Sequence, residues 1–165
     1  MSTAARISLE EYLGSHYEPE CELIDGVLVR KPMGTREHMR VERRLTRLLE
    51  RFEEAGLGEA VHELSTRFGS DVRIPDLAFV AAGARFEKGI LMDPPLLCVE
   101  VLSPSQNPSE LFAKCEAYHD WGVPYCWVID PLAKIAWEYH KGAPLQSAGE
   151  TLQAGQLCVT TAELF

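Results

Sequence analysis

Two periodicities alternate along the chain, and the switches between them mark its elements. Residues 8–13, SLEEYL, put Ser8 where a helix N-cap belongs and Glu11 three residues on, the two halves of a capping box. CELIDGVLVRK follows, with Asp25-Gly26 between two apolar runs, which predicts a β-hairpin. From Thr35 to about Glu54 the pattern becomes helical. Met39, Val41, Leu45, Leu48, Leu49 and Phe52 recur on one side, and Arg40, Arg43, Arg44, Arg47 and Arg51 lie mainly elsewhere. Thr35 supplies the cap, and Gly56 and Gly58 the stop.

Strand-like runs come next. Residues 60–68 and 76–82 read as strands, GARFEKGILMDPP (83–95) as a loop and 96–102 as another strand. A helix is predicted over 109–121, stopped by Gly122 and Pro124. YCWVID and KIAWEYH are strands around the turn Asp130-Pro131, and a weak strand and the turn TAELF close the chain. This order predicts one α/β domain over residues 1–165, with a central mixed β-sheet flanked by helices and an N-terminal β-hairpin. The YCWVID strand should pair in parallel with 96–102 through a right-handed crossover.

Composition narrows the class. A chain of 165 residues, 46% hydrophobic and 25% charged, suits one soluble domain with its own core. No apolar run is long enough to span a membrane, and MSTAARISLEEYL lacks the apolar stretch of an export signal, so a cytoplasmic protein is expected. Five cysteines, an odd number without a C-x-x-C pair, read as reduced, packed thiols. A net charge of -9 argues against a broad basic surface for nucleic acid and leaves room for a local basic groove.

The candidate chemistry begins in LLCVEVLSPS, where Glu100 stands inside an apolar strand. A buried carboxylate needs a partner. Asp76 repeats the puzzle in VRIPDLAFV, just after Pro75, which suits a strand start. If these consecutive strands meet, the two acids can share a divalent cation, and hard oxygen ligands suit Mg²⁺. Leu102 shares a face with Glu100 and is apolar. The next lysine is Lys114, on one helix face with Leu111, Tyr118 and Trp121, and an ammonium there calls for an anion. His38, in line with Val41 and Leu45, reads first as a core or cap histidine. Cys115 and His119 lack a second pair for zinc, and no G-x-S-x-G is present for a serine nucleophile.

Five segments in order resemble one family: ELIDG (22–26), VRIPD (72–76), EVLSPS (100–105), Lys114 through Tyr118, and GVPYCWVIDP (122–131). Together they resemble the Uma-two family within the PD-(D/E)XK nuclease superfamily. The resemblance implies a restriction-endonuclease-like fold and a metal-dependent DNA endonuclease. It implies Asp76 and Glu100 as metal ligands, with the main-chain carbonyl of Val101 as a third, and Mg²⁺, or Mn²⁺ in its place, as the ion. Leu102 departs from the usual lysine. Lys114 matches a migrated position seen in some relatives, and Glu22 matches an N-terminal acid that orients water or a second metal. DNA would be the substrate, bound weakly given the acidic balance, and double-strand cleavage by so small a nuclease favours a homodimer. The competing reading is a nuclease fold without catalysis, serving as an assembly or regulatory module.

Overall fold

The structure is a computed structural model that describes residues 6–165. The first five residues, part of the stretch read for an export signal, lie outside the described residues. Helix α1 (Leu9–Leu13) carries the capping box of Ser8 and Glu11. Strands β1 (Cys21–Ile24) and β2 (Val27–Arg30) form the hairpin. Asp25 and Gly26 both take positive φ, 50° and 76°, as a two-residue turn matched to strand twist requires. Thr35 caps α2 (Arg36–Glu54), which buries Val41, Leu45 and Leu49 and leaves most of its arginines exposed.

The run 60–68 is two strands, β3 (Gly58–His62) and β4 (Thr66–Phe68), and they belong to different sheets. The chain turns between them at Glu63, which has φ 46°. Gly58 starts β3 because a Cβ there would stand 2.0 Å from the Val80 carbonyl oxygen. Strand β5 (Asp71–Arg73) returns beside β4, and β6 (Leu77–Ala81) follows. The expected loop 83–95 folds a small hairpin of β7 (Phe86–Glu87) and β8 (Ile90–Leu91) about Lys88-Gly89. Strand β9 (Leu97–Val101) leads into α3 (Pro108–Trp121), whose cap is Asn107. Strands β10 (Tyr125–Asp130) and β11 (Ile135–His140) follow. Three strands rather than one complete the chain: β12 (Gln146–Ser147), β13 (Thr151–Ala154) and β14 (Leu157–Thr160).

The first sheet has the order β12-β11-β10-β9-β6-β3, with β9 and β10 parallel as the crossover predicts. A second mixed sheet, β2-β1-β5-β4-β8-β7, holds the N-terminal hairpin, where the sequence predicted only one sheet. Side chains alternate across β9 and divide the core. Val99 and Val101 join Leu45, Leu49, Phe79 and Trp127 on one face. Cys98 joins Leu111, Cys115 and Tyr118 under α3 on the other. Fully burying one such leucine or phenylalanine stabilises the fold by about 1.5–3 kcal/mol. All five cysteines are free thiols, and no described helix is long and apolar enough to cross a membrane.

Candidate active site

The chain leaves β5 through Ile74 and Pro75 and enters the first sheet at β6, so Asp76 stands at the junction of the two sheets. Pro75 donates no hydrogen bond, which suits a crossing where the ladder is interrupted. Asp76 is fixed at once. Its Oδ2 accepts from the Val101 amide at 2.7 Å, tying it to the end of the strand that carries Glu100. Glu22, on β1, fastens the same crossing from the other side, accepting from the Ile74 amide at 2.7 Å.

Helix α3 brings the cation. Lys114 Nζ lies 2.9 Å from Glu22 Oε1 and 2.9 Å from Glu100 Oε1. One turn on, the Tyr118 hydroxyl donates to Glu100 Oε1 at 2.7 Å. Every hydrogen bond and ion pair of Glu100 among the described residues falls on Oε1, which leaves Oε2 for another partner. Glu22, Asp76, Glu100, Val101 and Lys114 thus line one cleft of about 520 Å³. The glutamate inside the apolar strand does have a cation waiting, and that cation is Lys114.

Burial sets the electrostatics. It pushes the Glu100 carboxyl up to about 7; Lys114 pulls against this, while Asp76 and Glu22 add to it. Burial also opposes the charge on Lys114, but Glu100, Glu22 and Asp76 outweigh it and hold the ammonium above its ordinary value. Lys114 is therefore a fixed cation near neutral pH, not a proton acceptor.

The family described as Uma2, Putative restriction endonuclease, matches residues 9–161. The chain belongs to the Uma2 family. A solved structure described as a putative nuclease belonging to DUF820, from Anabaena variabilis ATCC 29413, is also similar, with a TM-score of 0.84 and 24% identity over 96% of this chain and 97% of that one. That likeness shows a shared fold, the restriction-endonuclease-like α/β fold the sequence resemblance implied. No curated protein matches the chain.

The Uma2 cleft holds two residues that the sequence pattern did not assign to the site. Lys31, just beyond β2, brings Nζ to 3.2 Å from Asp76 Oδ1. His38, on the first turn of α2, is buried as its periodicity predicts, yet its Nε2 is 3.7 Å from Asp76 Oδ2 and 3.4 Å from Glu42 Oε1. Burial works against a charged His38, but Glu42 and Asp76 outweigh it and raise the imidazole above its usual value. Arg73, close to Asp76 in the chain, lies 3.8 Å from Asp71. The His119 ring lies 2.8 Å from the Val123 carbonyl oxygen, and Cys115 is buried in the core under α3.

The raised Glu100 value gives a pH prediction for the metal-free protein. The folded state binds the extra proton between about pH 4.5, the ordinary glutamate value, and about 7. This stabilising contribution is fully present below that window and is lost as pH rises through it. The slope is at most about 1.4 kcal/mol per pH unit. Glu100→Gln cannot titrate, so its stability relative to wild type should climb across the same window. Urea midpoints in chelator from pH 4.5 to 8 read this directly, and parallel curves for the two proteins refute it.

Proposed function

We propose that this Uma2 family member is a metal-dependent endonuclease that hydrolyses phosphodiester bonds in DNA, with Asp76, Glu100, Lys114 and Glu22 as its machinery. The observation that carries the reading is the meeting of three buried acids and one largely buried lysine in a single cleft. Membership of a family described as Putative restriction endonuclease and the fold shared with a protein described as a putative nuclease support the same class.

The residues suit a divalent cation. Glu100 Oε2 is not committed to protein, Asp76 is held in place by the Val101 amide, and the donors are hard carboxylate oxygens, as Mg²⁺ prefers and Mn²⁺ accepts. Asp76, Glu100 and the main-chain carbonyl of Val101 would hold the ion. When bound, it would place positive charge against a phosphate oxygen and make nearby water more acidic. The protein does the rest. Lys114 offers its ammonium to charge that builds on phosphorus. Glu22 holds Lys114 in place, and Tyr118 fixes the orientation of Glu100.

The outer face of α2 favours DNA as the ligand. Arg36, Arg40, Arg43, Arg44 and Arg47 line a groove of about 840 Å³, in a chain whose net charge is -9. Through Met39, Arg43 and Arg47 this groove joins a second one, which reaches Lys31, His38 and Asp76 in the cleft. A basic rail leading to an acid site suits a phosphate backbone that is gripped along its length and cut at one point.

The test is calorimetric titration of Mg²⁺ and Mn²⁺ into wild type and Asp76→Ala, paired with cleavage of supercoiled plasmid. Wild type is expected to bind and cut, and the variant to do neither. If neither protein binds an ion and no DNA is cut, the fold serves as a non-catalytic module.

A further inference from the structure

We propose that His38, Glu42 and Asp76 form a second cation site beside the acid pair, one that takes a first-row transition dication in preference to Mg²⁺, with the Lys31 ammonium as its placeholder. The proposal goes beyond the nuclease reading, since His38 and Glu42 have no part in it. An ion can sit there whether or not a phosphodiester is cut.

Spacing is the first observation. One ligand atom from each of the three residues lies within 4.8 Å of the others. His38 Nε2 stands 3.4 Å from Glu42 Oε1 and 3.7 Å from Asp76 Oδ2. These are long for hydrogen bonds. They are close to the separation of two atoms bound to one ion, about 3.0–3.5 Å for metal–ligand bonds near 2.1 Å. His38 and Glu42 are i and i+4 on α2, so one helix face presents both.

The second observation is a buried cation already drawn to the same aspartate. The Lys31 side chain is 9% exposed, and its Nζ finds no hydrogen-bond partner among the described residues. It is held by charge alone, 3.2 Å from Asp76 Oδ1 and 3.8 Å from Glu63 Oε1. A buried ammonium without hydrogen bonds is costly. It is tolerated here because the spot demands positive charge, and an ion with real ligand bonds meets that demand better. Access is open, since Lys31, His38, Glu42, Glu63 and Asp76 line a groove of about 640 Å³. The imidazole sets the preference, because nitrogen donors suit transition dications while Mg²⁺ keeps to oxygen.

Mn²⁺ is the probe. Pulsed electron paramagnetic resonance of the Mn²⁺-loaded wild type should show nitrogen-14 modulation from a bound imidazole, and excess Mg²⁺ should leave it in place. Both His38→Gln and Glu42→Gln should weaken one of two Mn²⁺ ions in a calorimetric titration by at least about tenfold, the size commanded even by partners behind a ligand. His38→Gln should also lose the modulation. Lys31→Met should tighten that ion, whereas loss of a merely structural lysine would loosen it. Glu100→Gln separates the two sites: the modulation should persist while the ion of the acid pair is lost. Absence of modulation in wild type, its survival in His38→Gln, or weaker binding in Lys31→Met would overturn the site. None of these results depends on whether DNA is cut.

Discussion

Lys114→Met is expected to lower DNA cleavage by about two to three powers of ten, the cost of removing one donor to a transition state. Mg²⁺ affinity should stay the same or rise slightly, because a nearby positive charge has gone. Methionine keeps most of the apolar stem and loses the ammonium that sits 2.9 Å from both Glu22 and Glu100. The folded state pays for the change as well, since breaking one side of a buried ion pair typically costs about 3–5 kcal/mol. The assay therefore runs at low temperature on protein shown by circular dichroism to be folded. Glu100→Gln should differ by losing metal affinity and rate together. Cleavage of supercoiled plasmid against Mg²⁺ concentration distinguishes the two. If excess Mg²⁺ returns Lys114→Met to the wild-type rate, the ammonium only assembles the site and its place in the chemical step is lost.

Trp127→Ala is expected to be the most damaging single change to stability, at about 3–5 kcal/mol. Trp127 is fully buried in the core beside α2, and its indole nitrogen donates to the Gln153 carbonyl at 3.2 Å. Truncation opens a large apolar void, while the Gln153 carbonyl still has the His140 ring at 3.0 Å. For a chain of this size each kcal/mol moves Tm by about 2–4 °C, so a drop of roughly 10 °C is the expected reading. Trp127 stands opposite Val99 and so faces away from Glu100. The folded variant at low temperature should therefore keep its metal affinity. A drop in Tm under about 3 °C would overturn the packing role of Trp127, and an altered metal titration in the folded protein would show that the two faces of this sheet are not separate.

Local signals carried much of this fold. Caps at Ser8 and Thr35, the Asp25-Gly26 turn and the β9–α3–β10 crossover all stand as their residue types predict. Lys114 was legible for the same reason, because an ammonium on an apolar helix stripe has few places to go. What stayed hidden depends on a change of sheet. A strand-like run such as 60–68 looks the same whether it stays in one sheet or crosses to another, so the break at Glu63 left no trace in periodicity. Lys31 shows the same limit. It reaches Asp76 only because the hairpin that precedes it belongs to the second sheet, whose junction with the first is where Asp76 stands. For His38 the burial was readable and the neighbour was not. Its register matches a core position, and nothing in the spacing says that this position passes a carboxylate.

The lysine borne on α3, rather than at position 102 two residues after the glutamate, means that the ammonium's place in space is set separately from its address in the chain. Strand and helix are both rigid supports, and either can deliver a cation to the same carboxylate oxygen. Leu102 leaves the strand position apolar and packs against the core under α3. The exchange carries a mechanical consequence. A strand lysine would move with the acid it serves, as one piece. Lys114 rides on a separate body, so any slide of α3 along the sheet changes the gap between ammonium and acid, and the tight packing of Leu111, Cys115 and Tyr118 against the sheet becomes the bearing that keeps the site in register.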